Sequence, residues 1–240
     1  MTTASAGELL YEGKAKKLYA TEDGDRLLVR YKDEATAYNG EKHAMIPGKS
    51  RLNHEISSLL FSVLEAKGVS THFIERLSDK EQLVRKVTII PLEVVVRNVT
   101  AGSFAKRFGK EEGIVLPFSV VDFHVKDDAL GDPLATDDQL LVLQYAGKGE
   151  LETLKQRALE VNDILKEYFA DKGITLIDFK LEFGYTEAGE LIVADEISPD
   201  TCRLWDQKTN EKLDKDVFRR DLGSLPETYE KLYKRLTEGK

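Results

Sequence analysis

The segment Ile174-Thr-Leu-Ile-Asp-Phe-Lys-Leu-Glu-Phe-Gly184, followed after a tight turn at Glu187-Ala-Gly-Glu190 by a second strand from Leu191 to Ile197, decides how this chain is read. Its side chains alternate with the period of two that belongs to a β-strand. Ile177, Phe179, Leu181 and Phe183 point to one face, into a core. Asp178, Lys180, Glu182 and Gly184 point to the other, so three ionisable groups line one strand face. An even loop centred on Ala188-Gly189 sets Glu182 directly opposite Asp195, and like charges so placed repel unless something compensates them. A divalent cation compensates, and Mg²⁺, held by one or two carboxylates plus water and phosphate oxygens, suits such a pair. The same spacing also describes a solvated hairpin face on which Lys180 pairs one acid.

Working outward, the N-terminal third reads as strands. Leu9 to Glu12 and Lys16 to Ala20 flank Gly13, and the turn Thr21-Glu-Asp-Gly-Asp25 leads into the apolar run Arg26 to Tyr31. A polar loop is expected from Lys32 to Lys49. Ser50 is the expected N-cap of a helix carrying Leu52, Ile56, Leu59, Leu60, Val63 and Leu64 at helical spacing; Gly68 stops it, and its apolar face should pack on the sheet. Strands follow at Thr71 to Leu77 and Gln82 to Val96. From Ala101 short helices and loops are expected, then a long helix from about Glu150 to Lys172, ended by Gly173, with Leu151, Leu154, Ala158, Val161, Leu165 and Tyr168 on one stripe. A helical C-terminal region carries Trp205. Strands and helices are segregated more than alternated, which favours α+β over a doubly wound parallel sheet. A division near residue 86 gives a β-rich domain 1–86 and a larger α+β domain 87–240.

The 240 residues include 43 acidic and 35 basic side chains, for a net charge of -8. A protein of that balance lacks the basic surface that general nucleic-acid binding requires. No apolar run reaches the length of a membrane span, and Met1 to Gly7 is small and polar rather than a charged leader. A cytoplasmic protein is expected. Cys202, the single cysteine, cannot form an internal disulfide, and His43, His54, His72 and His124 show no zinc spacing.

Three further groups of residues carry chemistry. Tyr11-Glu-Gly-Lys-Ala-Lys-Lys-Leu-Tyr19 is a glycine turn with Lys14, Lys16 and Lys17 beside it; such a hairpin can lay N–H and ammonium groups over phosphates, though an exposed basic turn has the same look. It is not a Walker A loop, and no GxGxxG follows a strand. In Ile89-Ile-Pro-Leu-Glu-Val-Val-Val-Arg-Asn-Val-Thr-Ala-Gly-Ser103, alternation sets Glu93, Val95 and Arg97 on one face. The strand ends at a turn where Ser103, Lys106 and Arg107 could meet an anion, or where Glu93 simply pairs Arg97 and Ser103 caps a helix. Ile197-Ser-Pro-Asp-Thr-Cys-Arg-Leu-Trp205 places Asp200 and Arg203 just beyond the acidic strand end, where they could bind sugar hydroxyls and a phosphate. Cys202 there reads as packing, because no neighbouring base is implied.

Taken together, Glu12-Gly-Lys-Ala-Lys16, Ile89 to Ser103, Leu176 to Gly184, Asp195-Glu-Ile-Ser-Pro-Asp200 and Arg203-Leu-Trp205 resemble the phosphoribosylaminoimidazole-succinocarboxamide synthase (SAICAR synthetase) family, in order and over almost the whole chain. The resemblance implies a two-domain α+β fold with an ATP cleft like that of ATP-grasp enzymes and protein kinases. It implies a ligase of purine biosynthesis that joins the carboxylate of carboxyaminoimidazole ribonucleotide to L-aspartate at the expense of ATP. Residue by residue, Gly13, Lys14, Ala15 and Lys16 would cover the ATP phosphates, and Val84 and Lys86 would lie on the strand alongside adenine. Glu182 and Asp195 would hold Mg²⁺ with the nucleotide, and Lys180 would stabilise phosphoryl charge, these three being the catalytic set. Arg97, Ser103, Asp200 and Arg203 would bind the ribonucleotide, with Glu93 in support. No residue of the 36–42 loop is assigned to aspartate. A homo-oligomer, a dimer favoured, is expected. Two other functions fit part of the pattern: a small-molecule kinase using the same ATP cleft, and a catalytically silent nucleotide-binding module. Intact Lys14, Lys16, Lys180, Glu182 and Asp195 argue against the second.

Overall fold

The decisive segment forms β11 (Ile174–Tyr185), the centre of the larger of two main sheets in the computed structural model, which describes residues 5–37 and 40–238. Tyr38 and Asn39 of the 36–42 loop and Met1 to Ala4 of the polar N-terminus lie outside the described residues. On one side β11 pairs antiparallel with β8 (Thr88–Val99); along its other edge it pairs with β12 (Leu191–Ala194) and β13 (Cys202–Asp206). Beyond β8 lie β9 (Val115–Val125) and the short β10 (Leu134–Ala135). The smaller sheet has the order β1-β2-β3-β7-β6, from β1 (Leu9–Glu12), β2 (Lys16–Ala20), β3 (Arg26–Tyr31), β6 (Phe73–Arg76) and β7 (Glu81–Arg85).

The strand that reads as continuous from Gln82 to Val96 is therefore two, interrupted at Lys86-Val87, where the chain passes from one sheet to the other. The sheets also touch elsewhere: His72 N–H donates to Val193 O at 2.8 Å and Val193 N–H to Ser70 O at 3.1 Å. The polar 32–49 stretch is not all loop, since β4 (Glu34–Ala37) and β5 (Lys42–Met45) pair as a hairpin. Short helices do follow Ala101, but β9 interrupts the helices and loops expected there. Pro117 masks it, and it sits where pairing with β8 is irregular, between Val99 opposite Val115 and Arg97 opposite Val120, a place where a strand tolerates proline. The period of two is nonetheless present in Val121, Phe123 and Val125, which join the core.

Helix α4 (Lys148–Asp171) covers the larger sheet with Leu151, Leu154, Ala158, Val161, Leu165 and Phe169, all buried against Val94, Val96, Phe123, Phe179, Leu181 and Phe183. Gly173 ends it in the left-handed region, at φ 68°, a conformation glycine adopts without penalty. Ile177 leaves the alternation predicted for it. A bulge between Leu176 and Asp178 turns it to a separate cluster with Val99, Ala101 and Trp205. Helix α1 (Lys49–Ala66) is capped by Gly48 rather than Ser50, whose N–H and hydroxyl both donate to Asp33 Oδ1. It packs between β3 and β6 on one side and α4 and the C-terminal α6 (Leu225–Thr237) on the other, not on a sheet alone. Between β8 and β9 lies α2 (Gly102–Phe108), between β10 and α4 the short α3 (Asp137–Val142), and before α6 the short α5 (Asp216–Arg219). Among the described residues no helix is long and apolar enough to cross a membrane.

Candidate active site

One cavity of about 740 Å³ runs between the two sheets, and its walls follow from strand alternation. From the smaller sheet come the turn Gly13-Lys-Ala-Lys16 and an apolar floor of Leu18, Leu27, Val29 and Val84. The larger sheet supplies Glu93, Val95 and Arg97 from β8 and Lys180 and Glu182 from β11, opposite the faces these strands bury. The loop after β12 adds Asp195 and Asp200.

The centre of the cavity is a network of lysines and carboxylates. Lys180 Nζ lies 2.6 Å from Glu182 Oε1, 3.0 Å from Asp195 Oδ2 and 3.2 Å from Glu93 Oε1. Lys126 donates to the same Glu182 oxygen at 2.7 Å. Lys16 pairs with Asp195 and, at 2.9 Å, with Glu196. Burial would lower the Lys16 and Lys180 ammonium pKa values, but Asp195 and its acidic neighbours outweigh it and hold both above the ordinary lysine range. Burial would likewise raise Asp195, and Lys16, Lys180 and Lys126 hold it well below the usual carboxylate range.

Glu182 and Asp195 meet by a different route from the one the turn predicts. The hairpin register is one residue off, so Glu182 faces Ala194 and not Asp195. Simple continuation of β12 would send the next side chain to the opposite face. Asp195 instead takes φ 61°, in the left-handed region, and its carboxylate reaches the ammonium group that Glu182 holds.

At one end the turn residue Lys14 reaches across the mouth to Asp128, 2.6 Å away on the β9–β10 connection. At the other end Arg97 donates to Asp122 at 2.6 Å and lies 3.5 Å from Asp178; it does not pair with Glu93. Arg203 spans Asp178 and Asp216, each at 3.0 Å. Gly102, at φ 50°, sits directly under the Arg203 guanidinium: a Cβ there would be 2.4 Å from Nη2. The N-cap of α2 is Ala101, so Ser103 is not the cap; it is exposed and lines the cavity. Cys202 is buried, and burial pushes its thiol far above the ordinary range, so it is a packing residue.

The chain matches the SAICAR synthetase family over residues 9–236. It belongs to that family. Phosphoribosylaminoimidazole-succinocarboxamide synthases from Exiguobacterium sibiricum and Bacillus cytotoxicus are 62% and 60% identical to it, each over 95% of this chain and 97% and 96% of their own lengths. Among solved structures, the synthase from Ehrlichia chaffeensis superposes with a TM-score of 0.93 at 46% identity, covering 97% of this chain and all of its own. A SAICAR synthetase in complex with ADP gives the same TM-score at 48% identity, over 97% of this chain and 99% of that one. The α+β fold expected from the segregated pattern is the SAICAR synthetase fold.

Of the residues singled out in the sequence, the cavity brings together Gly13, Lys14, Ala15, Lys16, Val84, Glu93, Arg97, Ser103, Lys180, Glu182, Asp195, Asp200 and Arg203. Lys86 stands apart. It is exposed, lies beyond the end of β7, and its N–H is occupied by Asp25 O at 2.8 Å. Sequence reading missed Lys126 and Glu196, which complete the lysine and carboxylate network, and Lys215, which lines the cavity beside Asp200. Lys126 directly follows the strand hidden by Pro117, and finding β9 would have pointed to it.

Proposed function

We propose that this chain is an ATP-dependent ligase that joins the carboxylate of carboxyaminoimidazole ribonucleotide to the amine of L-aspartate, giving SAICAR, ADP and phosphate in purine biosynthesis. The observation that carries this reading is a cavity with three different regions: an apolar floor under a glycine and lysine turn, a central network of lysines and carboxylates, and a polar end with two arginines. Adenine fits the floor of Leu18, Leu27, Val29 and Val84, and the phosphates fit beneath Gly13 to Lys16.

A carboxylate is a poor acyl donor because oxide is a poor leaving group. In the proposed reaction a carboxylate oxygen attacks the γ-phosphorus of ATP and the bond to ADP breaks, leaving an acyl phosphate. The amine of aspartate then attacks the acyl carbon; the C–N bond forms, phosphate departs with the electrons of the C–O bond, and the amine proton is lost. Lys16 and Lys180 then meet the negative charge that spreads over the transferring phosphoryl oxygens. Glu182 and Asp195 offer hard oxygen donors, too few for a closed cage, which is the donor set Mg²⁺ takes when phosphates complete its sphere. When bound, Mg²⁺ supplies positive charge to those phosphates. Arg97, Ser103, Asp200 and Arg203 bind the ribonucleotide, and Glu93 supports them by holding Lys180. The reading includes two domains divided near residue 86, a cytoplasmic setting and a homodimer.

Stoichiometry tests the assignment against a small-molecule kinase. Purified protein should release ADP only when the carboxylated ribonucleotide and aspartate are both present. ADP release with the ribonucleotide alone, at the full rate and with a stable phosphorylated product, would favour the kinase.

A further inference from the structure

Asp200 is held in an unusual way for a residue at a ligand cavity. Its side chain is 5% exposed, and two ammonium groups share one of its oxygens: Lys49 Nζ at 2.8 Å and Lys215 Nζ at 3.0 Å from Oδ2. Tyr229 donates its hydroxyl to Oδ1 at 2.6 Å. The two lysines differ in place. Lys49, in the first turn of α1, is 1% exposed and has no other ion-pair partner among the described residues. Lys215, between β13 and α5, is 12% exposed and lines the cavity. A buried lysine with a single carboxylate partner cannot leave it without stranding its own charge. Lys215 can leave, because its partner stays neutralised and its own ammonium group has a ligand cavity to enter. Burial and the nearby Lys49 charge draw the Lys215 ammonium below the ordinary lysine range despite Asp200, as expected for the second cation on one carboxylate.

We propose that Lys49 is a positioning residue of the ribonucleotide site: it serves as the permanent counter-ion of Asp200, and so releases Lys215 to deliver its charge to an anionic group of the bound substrate. This rests on the assignment of Asp200 to the ribonucleotide site. Without Lys49, Asp200 has only Lys215 to neutralise it, and Lys215 is withheld from the ligand.

The test compares Lys49→Met, Lys215→Met and Asp200→Asn by steady-state kinetics with ATP and the ribonucleotide varied in turn. Lys49→Met should raise KM for the ribonucleotide roughly tenfold or more, as Lys215→Met does, and leave KM for ATP within about twofold. A role confined to folding would reduce the active fraction, and hence the apparent kcat, without this split. Thermal midpoints supply a second readout, to be taken also on Lys49→Gln if Lys49→Met is too unstable for kinetics. In an Asp200→Asn background either Lys49 variant should cost far less stability than in the native chain, because the charge it neutralises is gone. If Lys215→Met and Asp200→Asn raise KM for the ribonucleotide while Lys49→Met does not, the proposal is overturned and the site assignment stands. An Asp200→Asn variant with native KM for the ribonucleotide would overturn the assignment itself. Equal thermal losses in both backgrounds would also overturn the proposal.

Discussion

Replacing Lys180 with methionine removes a cation shared by Glu93, Glu182 and Asp195 and keeps most of the side-chain volume. The three carboxylate oxygens lie 3.2, 2.6 and 3.0 Å from the lost nitrogen. Removing one partner of a buried ion pair costs about 3–5 kcal/mol, because the other charge is left uncompensated. Lys180 is 20% exposed, and Lys126 and Lys16 still neutralise part of the cluster, which points to the lower figure, about 3 kcal/mol. For a chain of this size each kcal/mol shifts the thermal midpoint by about 2–4 °C, so a fall of about 6–12 °C is expected at pH 8. The deficit should also depend on pH. Crowded carboxylates that have lost their cation bind protons more tightly in the folded than in the unfolded chain, so the difference from the native protein should shrink as pH falls from 8 toward 5. Differential scanning fluorimetry of both proteins across that range is sufficient. A midpoint within 2 °C of the native value at pH 8, or a deficit that does not change with pH, would refute the convergence of these three acids on one ammonium group.

Asp195→Asn should fold, since asparagine tolerates the left-handed backbone that Asp195 adopts, but the Mg²⁺ concentration giving half-maximal turnover should rise roughly tenfold or more; an unchanged Mg²⁺ titration sinks the proposed role of the carboxylate pair. Gly102→Ala places a Cβ 2.4 Å from Arg203 Nη2 and should raise KM for the ribonucleotide while leaving KM for ATP unchanged; a rise for ATP instead would show that Arg203 serves the other subsite. Burial draws His54 down to about 4, and burial with nearby Lys16 draws His72 down to about 3, whereas burial beside Asp216 pushes Asp214 up to about 7. Between pH 6 and 5 the unfolded chain therefore carries close to two histidine protons and the folded chain one on Asp214, so stability should fall toward acid by about 1 kcal/mol per pH unit. His72→Gln should flatten that slope, and parallel slopes in urea unfolding would show that His72 is not held neutral.

Residue alternation made one wall of the cavity, the face of the larger sheet, legible in the sequence. Lys180 and Glu182 on β11, and Glu93, Val95 and Arg97 on β8, share the faces that a period of two assigns them, because each strand buries its other face under α4. The tight turn was less informative. Register depends on backbone torsions within the loop, and a shift of one residue would have separated Glu182 from Asp195 had Asp195 not taken a positive φ. β9 was hidden by one proline, and with it Lys126. Lys49 illustrates a different limit. Nothing in Pro47-Gly-Lys-Ser50 distinguishes a surface lysine at a helix start from one buried against Asp200, because Asp200 and the Tyr229 of α6 that holds it come from the far end of the chain.

The most direct measurement is ADP release by purified protein with ATP and Mg²⁺, with the carboxylated ribonucleotide and L-aspartate supplied separately and together, and with the amide product quantified in the same samples. The account predicts one ADP for each succinocarboxamide formed, and negligible turnover when either acceptor is left out. Full-rate ADP release without aspartate, or ADP formed with no amide, would contradict it.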